Sequence, residues 1–209
     1  METNMRHLQA ILFDRDGTLI KDKHYLSDPD GVELLPCVGE ALGALAEQGV
    51  RLFVVSNQSG VGRGMFPIES VYACNNRLAE LLAPFGVVFD DMVFCPHSPE
   101  EQCACRKPAT GMWEKLRLRH RLSPDGCYMV GDKEEDMLFG TFAGLRGRIL
   151  VLTGKGATTA EKLRIPIPSG PSVQVTHTPS SDAHPHLCIS GLSELHKGLT
   201  LLEQEKDNA

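Results

Sequence analysis

A chain of 209 residues with 42% hydrophobic residues can bury one sizeable core, and its length favours a single elaborated domain, 1–209, over two. A net charge of −6 argues against a general nucleic-acid binder, and no apolar run reaches the length of a membrane span, so neither partner is expected. The seven cysteines are odd in number and Cys37, Cys74, Cys127 and Cys188 are scattered, which fits thiols in a reducing, cytoplasmic compartment better than a disulfide frame.

The segment from Met1 to Arg6 leads directly into the first predicted strand and leaves no room for a removable signal. That strand spans 8–13, where Ala10-Ile11-Leu12 reads as a buried parallel element. It ends in Phe13-Asp14-Arg15-Asp16-Gly17-Thr18, so two carboxylates stand at a strand's carboxyl end, where open α/β sheets form their ligand crevices. Such a pair suits a hard cation such as Mg²⁺, and one aspartate can attack phosphorus while the other moves protons. A helix over 37–48 follows, with Val38, Ala41, Leu42 and Leu45 at helical spacing and Gly49 at its end. The strand 51–56 then delivers Ser56-Asn57-Gln58-Ser59-Gly60 to the same sheet edge, where a hydroxyl and backbone N–H groups can hold phosphate oxygens.

A second core helix is predicted over 68–82 and a strand over 89–94. Cys95, His97, Cys103 and Cys105 then offer three thiolates and an imidazole within eleven residues, a soft set suited to tetrahedral Zn²⁺. Because Ser98-Pro99-Glu100-Glu101-Gln102 has no apolar pattern, a metal crosslink is the expected source of order there, and four protein ligands make the site structural. Arg106-Lys107-Pro108 opens a helix over about 109–120 and aims cations at the crevice. The strand 126–131 leads into Asp132-Lys133-Glu134-Glu135-Asp136, a second acidic strand end before a helix. After a strand over 148–152, residues 155–186 are rich in Gly, Pro, Ser, Thr and His and read as a loop-rich insertion, with His177, His184 and His186 as exposed loop histidines. His186–Ile189 reads as an edge strand, Leu192, Leu195, Leu199 and Leu202 as a closing helix, and 203–209 as a frayed tail. Strands alternating with helices define an α/β fold with a doubly wound, Rossmann-like parallel sheet.

In their order, these motifs resemble the haloacid dehalogenase superfamily of phosphohydrolases, whose signature runs DxDGT, Ser/Thr, Lys and a terminal acidic motif. Asp14–Thr18, Ser56–Gly64, Cys103–Pro108 and Val130–Met137 look like the branch of D-glycero-D-manno-heptose-1,7-bisphosphate 7-phosphatases, over about Leu8 to Gly154. The histidinol-phosphate phosphatases, the enzymatic alternative, are less similar through Ser59–Gly64. The gaps between the motifs, holding a flap, a helix and a strand and then a helix, a strand and the Cys/His loop, leave no room for the cap domain that members of the superfamily often insert, so a capless fold is expected. The resemblance implies a zinc site at Cys95, His97, Cys103 and Cys105 and an enzyme, expected to be a monomer, acting on a small sugar bisphosphate. It makes Asp14 the nucleophile and Asp16 the general acid and base, with Mg²⁺ on the Asp14 carboxylate, the Asp16 carbonyl and Asp132. Ser56, the Asn57 backbone and Lys107 would hold the transferring phosphoryl group. Arg106 would reach the substrate's other anionic end. Asp22, Lys23, His24 and Tyr25 would form a substrate-facing flap, and Gln58, Ser59 and Lys133 would also face the substrate.

Overall fold

The protein is described here from a computed structural model, which covers residues 8–167, 170, 172–175 and 181–207. Seven strands form one sheet among these residues: β1 (Ala10–Phe13), β2 (Arg51–Asn57), β3 (Asp91–Cys95), β4 (Cys127–Gly131), β5 (Gly147–Val151), β6 (Val173–Val175) and β7 (Leu187–Ile189). Their order is β3-β2-β1-β4-β5-β7-β6, and every pairing is parallel except the last. The helices are α1 (Val38–Glu47), α2 (Ser59–Gly62), α3 (Ile68–Leu82), α4 (Gly111–His120), α5 (Glu134–Phe142), α6 (Gly156–Lys162) and α7 (Leu195–Asp207). None among the described residues is long and apolar enough to cross a membrane.

The central strands carry continuous apolar runs because both sheet faces are covered, and successive side chains point to opposite sides. Ile11, Phe13, Leu52, Val54, Tyr128 and Val130 meet α1, α3 and α7, which contribute Leu42, Leu78 and Leu199. Ala10, Leu12, Phe53, Val55, Cys127 and Met129 meet the other layer, where α4 brings Met112, Trp113 and Leu116 and α5 brings Phe139. Crossovers through these two layers carry β1, β2 and β4 in the same direction, so Asp14, Ser56 and Asp132 all emerge at one edge. The chain between Asp14 and Lys107 contains a flap, α1, β2, α2, α3 and β3, and no second sheet or separate helical layer forms there.

The C-terminal part departs from the sequence expectation. Residues 155–186 contain α6 and β6, and β6 takes the edge position, so β7 lies inside the sheet between β5 and β6. The α6 segment contains Thr158 and Thr159 and few large apolar residues, yet Ala160 packs with Met137, Leu150 and Cys188 in a small cluster of its own. His184 and His186 attach to Arg148: the His184 carbonyl accepts from its guanidinium at 2.9 Å and 3.1 Å, and His186 Nδ1 accepts from its backbone N–H at 3.3 Å. His177 lies outside the described residues. The tail is helical through Asp207, because Glu203 is buried and receives Arg146 Nε and Nη2 at 2.8 Å and 2.9 Å as well as the Tyr128 hydroxyl. Only residues 208–209 of the expected frayed tail lie outside the described structure.

Candidate active site

Asp14 follows β1 and is buried, its N–H bonded to the Val130 carbonyl on β4 at 2.9 Å. Lys107 Nζ reaches Asp14 Oδ1 at 2.7 Å, Asp136 Oδ1 at 2.6 Å and the Val55 carbonyl at 2.7 Å. Burial pushes the Asp14 carboxyl upward, but the ammonium groups of Lys107 and Lys133 outweigh it and hold the group well below the carboxylate range. Burial likewise opposes the charge of Lys107, and Asp136 and Asp14 reverse that, leaving it above the usual lysine value. Asp14 is therefore an ionised, water-poor carboxylate beside a fixed cation, the state a carboxylate nucleophile needs.

Lys107 owes its position to Asn57, whose amide bonds the Lys107 backbone twice: Nδ2 donates to the carbonyl at 3.1 Å and Oδ1 accepts from the N–H at 3.0 Å. A turn over Arg106–Ala109 precedes α4, which starts two residues later than its sequence pattern suggests. Ser56, at the end of β2, is buried and its Oγ accepts from Gln58 Nε2 at 2.6 Å. Gln58 Nε2 also donates to Asp16 Oδ2 at 2.9 Å. The hydroxyl, amide and acid thus form one chain at the mouth of the sheet.

Asp132 follows β4 directly and has no exposure; Oδ2 accepts from the Lys155 N–H at 2.8 Å, and its carbonyl accepts from Thr159 Oγ1 at 2.9 Å. Gly17 and Gly154, at φ 91° and 55°, close over it, and a Cβ on either would come within 2.3 Å of Oδ2. Burial and the nearby Asp14 charge push its pKa up to about 7. Lys133 Nζ lies 3.4 Å from Asp14 Oδ2, 3.1 Å from the Asp16 carbonyl and 3.3 Å from Asp132 Oδ1. These are the three oxygens that the sequence assigns to a metal, and here they converge on one ammonium. Asp132 Oδ1 is buried and makes no hydrogen bond. Three hard oxygens around one positive centre, Asp132 Oδ1 among them without a hydrogen bond, fit Mg²⁺. Asp136 is less available for that role, since Oδ1 holds Lys107 and Oδ2 accepts from the Lys133 N–H at 3.0 Å.

The cleft encloses about 220 Å³ and is lined by Asp14, Asp16, Ser56, Asn57, Gln58, Ser59, Arg106, Lys107 and Lys133, together with Asp22, His24 and Tyr25 of the flap. Lys23 is not brought in: its ammonium turns to Glu33, which also holds Lys21 at 2.6 Å. Glu135 and Asp136 line the cleft and were not expected there. No local pattern announced them, since acidic residues in the first turn of α5 read as solvated partners of the helix dipole.

Beside the cleft, Cys95 ends β3 and meets His97, Cys103 and Cys105. The sulfur of Cys95 lies 3.5 Å from His97 Nδ1, 3.4 Å from Cys103 Sγ and 3.1 Å from Cys105 Sγ; Cys105 Sγ is 3.2 Å from the imidazole and 3.5 Å from Cys103 Sγ. Tetrahedral zinc with Zn–S bonds of about 2.3 Å separates its ligands by roughly 3.8 Å, so this cluster is a few tenths of an ångström tighter and could hold such an ion. Burial opposes ionisation of Cys103, but the Cys95 thiol and the N–H groups of Cys105 and Arg106 bring it down to about 6. The intervening loop has order of its own, contrary to expectation. Ser98 and Glu101 form a reciprocal cap on a short turn, with the Ser98 N–H bonded to Glu101 Oε2 at 2.6 Å, and the Gly62 N–H bonds the Pro96 carbonyl at 2.8 Å.

Comparison with known proteins agrees with this geometry. The HAD-hydrolase-like family matches residues 104–177. A protein of Haemophilus ducreyi named D-glycero-beta-D-manno-heptose-1,7-bisphosphate 7-phosphatase is 40% identical over 160 residues, covering 73% of this chain and 87% of that protein. One of the same name from Yersinia pestis is 38% identical over 156 residues, covering 71% and 83%. The D,D-heptose 1,7-bisphosphate phosphatase of B. bronchiseptica, solved with magnesium and phosphate, superposes with a TM-score of 0.74 at 27% identity over 97% of this chain and all of that one. The chain belongs to the haloacid dehalogenase family of hydrolases and is a phosphatase of the branch that holds these relatives.

Proposed function

We propose that the protein removes the 7-phosphate of D-glycero-D-manno-heptose 1,7-bisphosphate through an aspartyl-phosphate on Asp14. The observation that carries this reading is a second cationic centre beside the first. Lys107 is committed to Asp14 and Asp136, whereas Arg106 lines the same cleft with its Nη1 buried and without a partner. A buried guanidinium nitrogen left unbonded is costly unless an anion completes it, and the fork of arginine matches a second phosphate. The names of the relatives supply the sugar.

In the first step an Asp14 oxygen bonds to phosphorus, the bond from phosphorus to the sugar oxygen breaks, and Asp16 gives its proton to that oxygen. In the second, water bonds to the same phosphorus, its proton passes to Asp16, and the Asp14 ester breaks to release inorganic phosphate. Ser56, the Asn57 backbone and Lys107 hold the phosphoryl oxygens throughout. Asp14, the Asp16 carbonyl and Asp132 would hold Mg²⁺, which supplies neutralising charge between nucleophile and phosphate. Cys95, His97, Cys103 and Cys105 would hold a structural Zn²⁺ that fixes the loop presenting Arg106 and Lys107. Glu135, Asp22 and His24 line the cleft and would meet sugar hydroxyls. We read the chain as one domain and the enzyme as a monomer, and its scattered free thiols support a reducing, cytoplasmic compartment.

The test is Arg106→Ala. The variant should lose about 2–3 kcal/mol in kcat/KM for the bisphosphate, the scale of a charge-assisted contact, and much less for a sugar monophosphate. Wild type should prefer the bisphosphate to histidinol phosphate. An equal loss on mono- and bisphosphate would assign Arg106 to the transferring group and remove the physical support for a bisphosphate.

A further inference from the structure

Arg15 stands between the two aspartates of the first motif, and its side chain does not line the cleft. It is 1% exposed, among the largest fully buried side chains of the described chain. A guanidinium withdrawn from water needs compensation, and here it is nearly complete. Nε donates to Asp16 Oδ2 at 3.0 Å, Nη2 to Asp16 Oδ1 at 3.2 Å, and Nη1 to Asn75 Oδ1 at 2.9 Å. Asn75 is itself buried, on α3, sixty residues along the chain. The Arg15 carbonyl accepts from the N–H groups of Leu19 at 2.9 Å and Ile20 at 3.1 Å, which fixes the turn from which both side chains spring.

We propose that Arg15, anchored by Asn75, is a positioning residue for Asp16. The inference rests on the reading of Asp16 as general acid and base. A carboxylate on a loop turns freely about two bonds, whereas proton delivery to a leaving oxygen requires one orientation. The guanidinium holds both Asp16 oxygens in one plane, and Gln58 adds the third bond from the cleft side. Asn75 prevents the fork from swinging with the loop, so a helix of the core sets the direction of the acid. Arg15 touches neither substrate nor metal in this arrangement; it acts through Asp16.

The experiment compares kcat/KM for a sugar phosphate, whose leaving oxygen needs a proton, with that for 4-nitrophenyl phosphate, whose leaving group does not. Both constants stop at formation of the phosphoenzyme, so the ratio isolates proton delivery. Asp16→Asn should shift the ratio against the sugar phosphate by about a hundredfold or more. Arg15→Lys, which keeps the charge but not the fork, should shift it the same way by about tenfold with little change in KM. Asn75→Ala leaves Arg15 in place and should shift it by about threefold, which keeps the test decisive if Arg15→Lys does not fold. Adding Arg15→Lys to Asp16→Asn should shift the ratio no further. Equal losses on both substrates in the Arg15 and Asn75 variants, with Asp16→Asn behaving as expected, would overturn the proposal and leave a structural role. An unchanged ratio in Asp16→Asn would overturn the reading of Asp16 and the proposal with it.

Discussion

Asp14 carries its charge in a buried place because two ammonium groups face it, and that balance defines what each substitution should do. Asp14→Asn should keep the fold and abolish turnover, because an amide cannot form the acyl phosphate; phosphate release near the wild-type rate would contradict the mechanism. Asp132 answers to pH in the opposite sense from Asp14. Its folded pKa is raised from 3.8 to about 7, so the folded state binds the proton more tightly, and metal-free protein should lose stability as pH rises from about 4 to 7. Thermal melts across that range should show the fall, a divalent cation should reverse it at pH 7, and Asp132→Asn should flatten it. A metal-free melting temperature that rises through this window in wild type and variant alike would contradict the assignment. Asp14, Ser56 and Asp132 were legible because each stands at or just after the end of a buried strand, and Lys107 was legible from the Arg106-Lys107-Pro108 run ahead of α4. Asp136 was not, since an acidic residue in a helix's first turn reads as a solvated partner of the dipole, and only the fold turns it inward to Lys107. Lys23 was misplaced for a related reason: its partner Glu33 is ten residues away, beyond any local pattern.

At the scale of elements, strands and helices of the first 150 residues matched their apolar periodicity, because a doubly covered sheet forces continuous apolar runs on its strands. Smaller elements escaped. β6 has three half-buried residues and α6 few large apolar ones, and each is stabilised by neighbours that no local signal announces. The Cys/His loop was legible as a ligand set but not as a structure, since the reciprocal cap between Ser98 and Glu101 orders it without a metal. Cys103→Ser should therefore lower zinc content and melting temperature without unravelling the turn, and reduce activity through a looser Arg106–Lys107 segment. Elemental analysis should find about one zinc per wild-type chain; a zinc-free wild type with full activity and stability would contradict the role. On α7, Glu203 binds Arg146 and Tyr128 across the first core layer. Glu203→Ala should cost about 2–3 kcal/mol in chemical denaturation, less than the roughly 3–5 kcal/mol of a fully buried pair because the Arg146 end reaches solvent. A loss under about 0.5 kcal/mol would show that α7 docks through its leucines alone.

For the whole molecule, one sheet edge collects groups from four strand ends, and the two helical layers fix their spacing. The alternation of strands and helices was legible up to β5; the last strand pair was not, because β7 enters the sheet inside β6 and the connecting segment carries no periodic signal. The cleft is bordered by the flap rather than roofed by a separate layer, which suits release of the phosphoryl group to water. Its chemistry is asymmetric, with Lys107 bound into carboxylates and Arg106 Nη1 unpaired beside it. The most direct test of the account follows D-glycero-D-manno-heptose 1,7-bisphosphate by phosphorus NMR in the presence of enzyme and Mg²⁺. The account predicts loss of the primary 7-phosphate signal, stoichiometric appearance of inorganic phosphate, and retention of the anomeric 1-phosphate. Loss of the anomeric signal instead, or inertness of this sugar under conditions in which histidinol phosphate is hydrolysed, would contradict it.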